Sequence, residues 1–381
     1  MTTEELLFYL LRYEIKGEEL PDGFVLTEQE TEDLYRLSKK HDLAHLIGDV
    51  LFRRKLLTEG KLYDAFKKQL VMAVLRVEQQ TAEFKNICET LESAQTPFIP
   101  LKGSVLREFY PEPWMRTSCD IDVLIRKEDI QKTTQALTEN GFETDGKENF
   151  HDVNFYKGNI HLELHFSICE NNEQIDGVLS KVWDYSVQVG SYEYRETSEY
   201  YVFHHIAHMA YHFLAGGCGI RPFLDLWILK KNNFYEDKKL IPLLAKSNLS
   251  KFYESVNKLI DVWINGEQHD DLTLQMEQYV LSGGVYGTSA NANTVGAATS
   301  KGKRKYLLKI AFPSYTTMCT IYPSLKKRKL LLPFYYIHRM FVKIFGKDRK
   351  RVKARIDNTM SQSKENIFSV SKLLNELELN K

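Results

Sequence analysis

Three acidic residues on two short apolar segments carry the clearest chemistry in this chain. In Cys119-Asp-Ile-Asp-Val-Leu-Ile125, Asp120 and Asp122 stand two apart. Alternate residues of a strand share a face, so both carboxylates project together while Ile121 enters the core. Adjacent carboxylates repel unless a cation lies between them, and oxygen-only ligands suit Mg²⁺. A solvent-facing pair on an edge strand is the alternative, and the apolar Val123-Leu124-Ile125 that follows argues against an edge. In Ile160-His-Leu-Glu-Leu-His-Phe166, apolar residues alternate with His161, Glu163 and His165. Glu163 is therefore a third carboxylate able to complete a metal site. A zinc site of His161, Glu163 and His165 is the rival, but three alternate residues span roughly 13 Å by the strand rise. That is too far to meet on one ion at bonds of ~2 Å.

Upstream, Gly103-Ser104 sits between a short apolar strand and a plausible helix start, Val105–Tyr110. Glycine there lets backbone N–H groups approach a phosphate at a helix N-terminus. A plain turn explains the pair equally well. Downstream, His204, His208 and His212 recur at i, i+4 and i+8, with Tyr201, Phe203, Tyr211 and Phe213 between them. The spacing predicts an aromatic-rich helix packed against the sheet rather than a metal row. Arg221 and Asp225, four apart, predict a local ion pair.

The elements around these residues give an α+β chain: a small mixed sheet with helices, flanked by N- and C-terminal helical regions. Residues 1–93 read as helical, with Leu6, Leu7, Leu10 and Leu11 at helical spacing and an unbroken run from about Tyr63 to Ala94. The strands fall within 94–197: Phe98-Ile99, Cys119–Ile125, Val153–Tyr156 and Ile160–Phe166. Lys157-Gly158-Asn159 supplies hairpin chemistry, and Lys127–Asn140 is a helix stopped by Gly141. Helical periodicity returns over 198–288. Residues 289–302, rich in Ser, Ala, Asn, Thr and Gly, read as a flexible loop. A basic helical region, 303–381, closes the chain.

Together these motifs resemble a bacterial family of largely uncharacterised nucleotidyltransferases within the polymerase-beta-like superfamily. The resemblance rests on Leu101-Lys102-Gly103-Ser104, Arg116…Asp120-Ile-Asp122 and Glu163-Leu-His165. It extends to His41-Asp-Leu-Ala, His204/His208, Gly219-Ile-Arg221…Asp225 and Gly283-Gly-Val-Tyr-Gly287. It implies a polymerase-beta-like catalytic core over 94–197 and transfer of a nucleoside monophosphate from a triphosphate to an unknown acceptor. By the same resemblance, Asp120, Asp122 and Glu163 would hold two Mg²⁺ ions, with Mn²⁺ an alternative, and Glu163 would favour deprotonation of the acceptor. Lys102, Gly103, Ser104 and Arg116 would face phosphates, and His165, His208, Arg221 and Asp225 would line the substrate cleft. A catalytically silent nucleotide-binding scaffold and a toxin-like transferase acting on RNA or protein are the alternatives. The intact carboxylates speak against the scaffold.

Composition sets the frame. The chain has 381 residues, 43% hydrophobic and 27% charged, which excludes disordered, collagen-like and disulfide-stapled classes. Five cysteines without CxxC spacing and an acidic start predict reduced thiols and a cytoplasmic location. Lys+Arg and Asp+Glu both number 51, yet residues 301–355 hold 17 Lys/Arg against one acidic residue, Asp348. This segment reads as a solvated face, as a site for RNA or a phosphorylated carrier, or as a docking surface for an anionic membrane. No RNA-binding signature accompanies it, so sequence-specific nucleic-acid binding is not expected.

Overall fold

The computed structural model describes residues 1–285, 287–347 and 349–380. Asp348 of the basic segment and Tyr286 of the Gly283–Gly287 motif lie outside the described residues. The chain divides into two compact units, one of residues 1–209 with 220–269, the other of 210–219 with the chain from 270 onward.

The first unit opens with the helices Thr3–Leu11, Glu28–Lys40, Ala44–Arg53 and Lys61–Ser93. Thr2 and Thr27 cap the first two with reciprocal bonds to Glu5 and Glu30, which satisfy helix-end donors. Lys61–Ser93 runs unbroken because its sequence holds neither Pro nor Gly. A four-stranded sheet follows: β1 (Phe98–Pro100), β2 (Ile121–Ile125), β3 (Asp152–Lys157) and β4 (Ile160–His165), in the order β1-β2-β4-β3. Strands β2 and β4 are parallel, and β1 and β3 pair antiparallel on the outside, so the sheet is mixed and β2 is internal. The edge-strand alternative for the aspartates is thereby removed. Gly158, with φ +59°, turns the β3–β4 hairpin. A separate ribbon joins β5 (Ser186–Gln188) to β6 (Tyr194–Glu196).

Strand alternation gives the sheet two different faces. Ile121, Val123, Ile125, Val153, Phe155, Leu162 and Leu164 are buried against Ile87 and Leu91 of the long helix and Leu137 of the helix Ile130–Glu139. Burial of such side chains contributes about 1.5–3 kcal/mol each, so the core fixes the strand register. The opposite face then carries the polar set. Across it, Asp122 lies opposite Glu163, and Glu163 opposite Asn154.

The second unit is helical. Residues 289–302, expected as a loop, instead form the helix Ser289–Thr299. Thr288 caps it by accepting from the Asn291 N–H, and its alanines suit a helix interior. Gly296 leaves room for the buried Tyr306 ring, which a Cβ there would meet at 2.1 Å. Glycine-rich backbone has a physical reason at one further point. Gly287 has φ +72°, and a Cβ on it would lie 2.6 Å from the Gly216 carbonyl. The Gly283–Gly287 segment therefore packs backbone to backbone on the loop at Gly216. Among the described residues no cysteine forms a disulfide. Among the described residues, no helix is long and apolar enough to cross a membrane.

Candidate active site

The polar face of the sheet gathers the acidic residues singled out from sequence. Asp122 sits in the middle of the site on β2, buried. Asp120 immediately precedes β2 rather than lying on it, and still reaches the same cluster. The donor atoms of Asp120, His161 and Glu163 lie within 4.8 Å of one another, as do those of Asp122, Glu163 and His165. The two histidines thus belong to different groups, in keeping with their separation along the strand. A third group, His151, Asp152 and His165, is equally close. Its two imidazoles stack with planes 10° apart.

Crowded carboxylates need counter-charge, and two cations supply it. His165 Nε2 donates to Asp122 Oδ1 at 2.8 Å and lies 3.5 Å from Glu163 Oε2. Burial opposes charge on this imidazole, but the two carboxylates outweigh it and carry its pKa up to about 9. Burial would likewise lower Lys102, yet Asp122, Glu170, Asp120 and Glu163 together raise it. The backbone brings Lys102 there: the Leu101 N–H donates to the Asp122 carbonyl at 3.0 Å and extends the β1–β2 ladder by one residue. Lys102 has φ +40°, a costly conformation for a residue with a Cβ. Its carbonyl accepts from the Tyr201 hydroxyl at 2.8 Å, from the aromatic helix Ser198–Ala215.

The three carboxylates respond differently. Burial, reinforced by Asp122 and Glu163, pushes Asp120 up to about 6. Burial would raise Asp122 too, but Lys102 and His165 hold it well below the usual carboxylate range. The His165 bond lowers Glu163 against the effects of burial and Asp122. Glu163 therefore stays ionised at neutral pH, and Asp120 is the first of the three carboxylates to take up a proton as pH falls.

Gly103 and Ser104 open a single helical turn, Gly103–Leu106. A Cβ at Gly103 would lie 3.2 Å from Ser118 Cβ, so packing against the loop before β2 is one reason for glycine here. That loop is clamped at three consecutive residues. Arg116 Nε donates to the fully buried Asp225 at 2.6 Å, and the Tyr110 hydroxyl donates to the same oxygen at 2.8 Å. Thr117 donates to Asp42 at 2.8 Å, and Arg221 joins Asp42 at 2.6 Å. Ser118 and Gln80 share the buried Arg107 guanidinium, whose pKa burial and Arg116 pull down to about 10.

This network corrects one expectation. Arg221 and Asp225 do not pair with each other; each turns to a partner distant in sequence, because Asp225 is buried beside Arg116 while Arg221 reaches the helix end at Asp42. Arg116 bonds Asp225 and the Thr117 carbonyl, both within the protein. The histidines of the aromatic helix do not form a metal row. His204 bonds Glu196 at 3.0 Å and His208 bonds Glu170 at 2.9 Å. Sequence reasoning did not find Gln80, Arg107, Tyr110, Thr117 or Ser118, whose partners lie 9 to 115 residues away.

A family model described as uncharacterised nucleotidyltransferase matches residues 27–265, which include every residue of this site and of its clamp. Searches of curated proteins and of solved structures find no match.

If the clamp is structural, Asp225→Ala leaves a buried guanidinium uncompensated and lowers stability by about 3–5 kcal/mol. Urea unfolding monitored by circular dichroism measures this. The double variant Arg116→Met/Asp225→Leu, which removes both charges, should recover much of the loss.

Proposed function

Since the chain belongs to the uncharacterised nucleotidyltransferase family, we propose that it transfers a nucleoside monophosphate from a nucleoside triphosphate to an acceptor hydroxyl or phosphate. We read its small mixed sheet as a polymerase-beta-like core. The observation that carries the reading is the pairing of Asp122 with Glu163 across parallel strands, with Asp120 beside them. The carboxylate oxygens of Asp120, Asp122 and Glu163 suit Mg²⁺ or Mn²⁺, each close group also including a histidine, His161 or His165. Bound there, divalent ions would neutralise charge on the triphosphate and on the attacking and leaving oxygens.

The protein's own groups have separable roles in this reading. Asp120 and Asp122 hold the cation, and His165 fixes the Asp122 carboxylate through its 2.8 Å bond. Lys102, already among four carboxylates, supplies positive charge for phosphate oxygens, and the turn at Gly103-Ser104 offers backbone donors nearby. Glu163, ionised at neutral pH, accepts the acceptor's proton as its oxygen attacks the α-phosphorus. The new P–O bond forms as the α–β bridging bond breaks and pyrophosphate leaves. Such a reaction would take place in the cytoplasm, where nucleoside triphosphates are supplied.

One observation favours a second reading, a catalytically silent nucleotide-binding scaffold. His165 already bonds Asp122 Oδ1 and lies 3.5 Å from Glu163 Oε2, so a protein group occupies carboxylate oxygens that a metal would take. The two readings separate in thermal-shift measurements with ATP, GTP, CTP and UTP, with and without Mg²⁺. For an enzyme, ligand at about 100 times its dissociation constant stabilises the fold by ~2.7 kcal/mol. That shift requires Mg²⁺ and is lost in Asp120→Asn/Asp122→Asn. Glu163→Gln keeps the shift but slows labelling of an extract from α-labelled nucleotide by ~10²-fold. A metal-independent shift without any labelling identifies the scaffold instead.

The electrostatics add a pH dependence. Metal ligands must be deprotonated, and Asp120 holds its proton up to about pH 6. Mn²⁺ affinity, followed by electron paramagnetic resonance, should level off above about pH 6 and fall below it by roughly tenfold per unit. Asp120→Asn should flatten that profile.

A further inference from the structure

The helix Leu332–Phe345 in the second unit is amphipathic in the wrong sense for a protein surface. Tyr335 and Tyr336 pack toward the small core of Met318, Cys319 and Leu325. Arg339 turns the same way and donates to the carbonyls of Ile310 and Ala311 at 3.1 and 3.2 Å. The inner face therefore holds tyrosines and an arginine. On the outer face, Phe334, Ile337, Phe341, Ile344 and Phe345 form one stripe at helical spacing. Phe334 is 68% exposed, Ile337 68%, Phe341 62% and Phe345 69%, and Leu330 ahead of the helix is 93% exposed. A contiguous exposed apolar stripe of this kind marks an interaction surface.

The charge around the stripe selects the partner. Exposed Lys326, Lys327, Arg328 and Lys329 precede it, and exposed Lys347, Arg349, Lys350, Arg351 and Lys353 follow it. The partner must be apolar at its centre and anionic at its rim. Nucleic acid meets the basic flanks but offers no apolar body for five aromatic and aliphatic side chains. A second copy would meet the stripe but bring the same cations against these. An anionic bilayer meets both demands, with acyl chains taking the stripe and headgroups the flanks. The helix has 14 residues, about 21 Å at the α-helical rise, too short to span a bilayer. We propose that residues 326–353 dock this protein on an anionic lipid surface, with the helix Leu332–Phe345 lying in the interfacial plane.

The test uses the full-length chain and sedimentation with two kinds of vesicle: phosphatidylcholine alone, and phosphatidylcholine mixed with phosphatidylglycerol. The protein should sediment with the mixed vesicles only, and less as salt is raised. Phe334→Ser/Phe341→Ser/Phe345→Ser and Lys326→Gln/Lys327→Gln/Arg328→Gln/Lys329→Gln should each weaken partitioning by ~10-fold or more. Both should retain the wild-type circular dichroism spectrum. Should the serine variant not fold, Phe341→Trp reports the same contact through quenching by bromine-labelled acyl chains. Any of three results overturns the proposal: no sedimentation with mixed vesicles at low salt, undiminished binding by a folded serine variant, or an unquenched tryptophan. Self-association or RNA binding in place of vesicle binding overturns it as well and assigns the stripe or the flanks to that partner.

Discussion

Mutual repulsion among carboxylates is the constraint on which this architecture turns. Two such charges about 4 Å apart repel by roughly 4 kcal/mol at an effective dielectric of ~20. The sheet brings Asp122 and Glu163 into register and sets Asp120 beside them. What surrounds them can be understood as opposition to that repulsion. His165 bridges two of the carboxylates, and Lys102 adopts a strained backbone to place its ammonium among four. Burial, reinforced by that repulsion, keeps Asp120 protonated to higher pH than its neighbours.

Holding charged groups against one another requires a rigid frame, and the loop leading into β2 supplies it. Arg116, Thr117 and Ser118 are consecutive, yet each is tied to a different part of the first unit: the helix Arg221–Lys231, the end of Glu28–Lys40 and the long helix Lys61–Ser93. Buried ion pairs add little net stability, because desolvation offsets their attraction. Their effect here is geometric. A guanidinium with Asp225 and Tyr110 around it has few other places to go, so the residues that follow inherit its position.

The parts of this arrangement visible in the sequence were those with local periodicity. Alternation around Glu163, the apolar run after Asp122 and the Gly158 turn each specify a strand or a hairpin from neighbours a few residues away. The unbroken run from about Tyr63 to Ala94 specifies helix, one long or two, and the structure makes it one, Lys61–Ser93. The clamp was not legible, because nothing in Arg221 or Asp225 announces which distant residue will face it. Proximity at i, i+4 suggested a pair that the tertiary structure overrides. The helix Ser289–Thr299 was missed for the opposite reason. Its small polar composition imitates a loop, whereas its alanines and the space left by Gly296 suit close helix packing. The strained backbone of Lys102 was not legible either, since dihedral angles leave no mark on residue type.

The reach of the Arg116–Asp225 pair has a consequence for how the protein is made. Arg116 leaves the ribosome more than a hundred residues before its partner. While the intervening chain is synthesised, the sheet can pair its strands, but the loop ahead of β2 lacks one of its three anchors, and Arg221 of the second is missing too. Closing such long-range contacts is slow relative to local helix and hairpin formation. Nascent chains that end before residue 221 therefore hold the acidic residues without the complete frame that sets their geometry. The frame around the site can close only once residues 221–225 have been made.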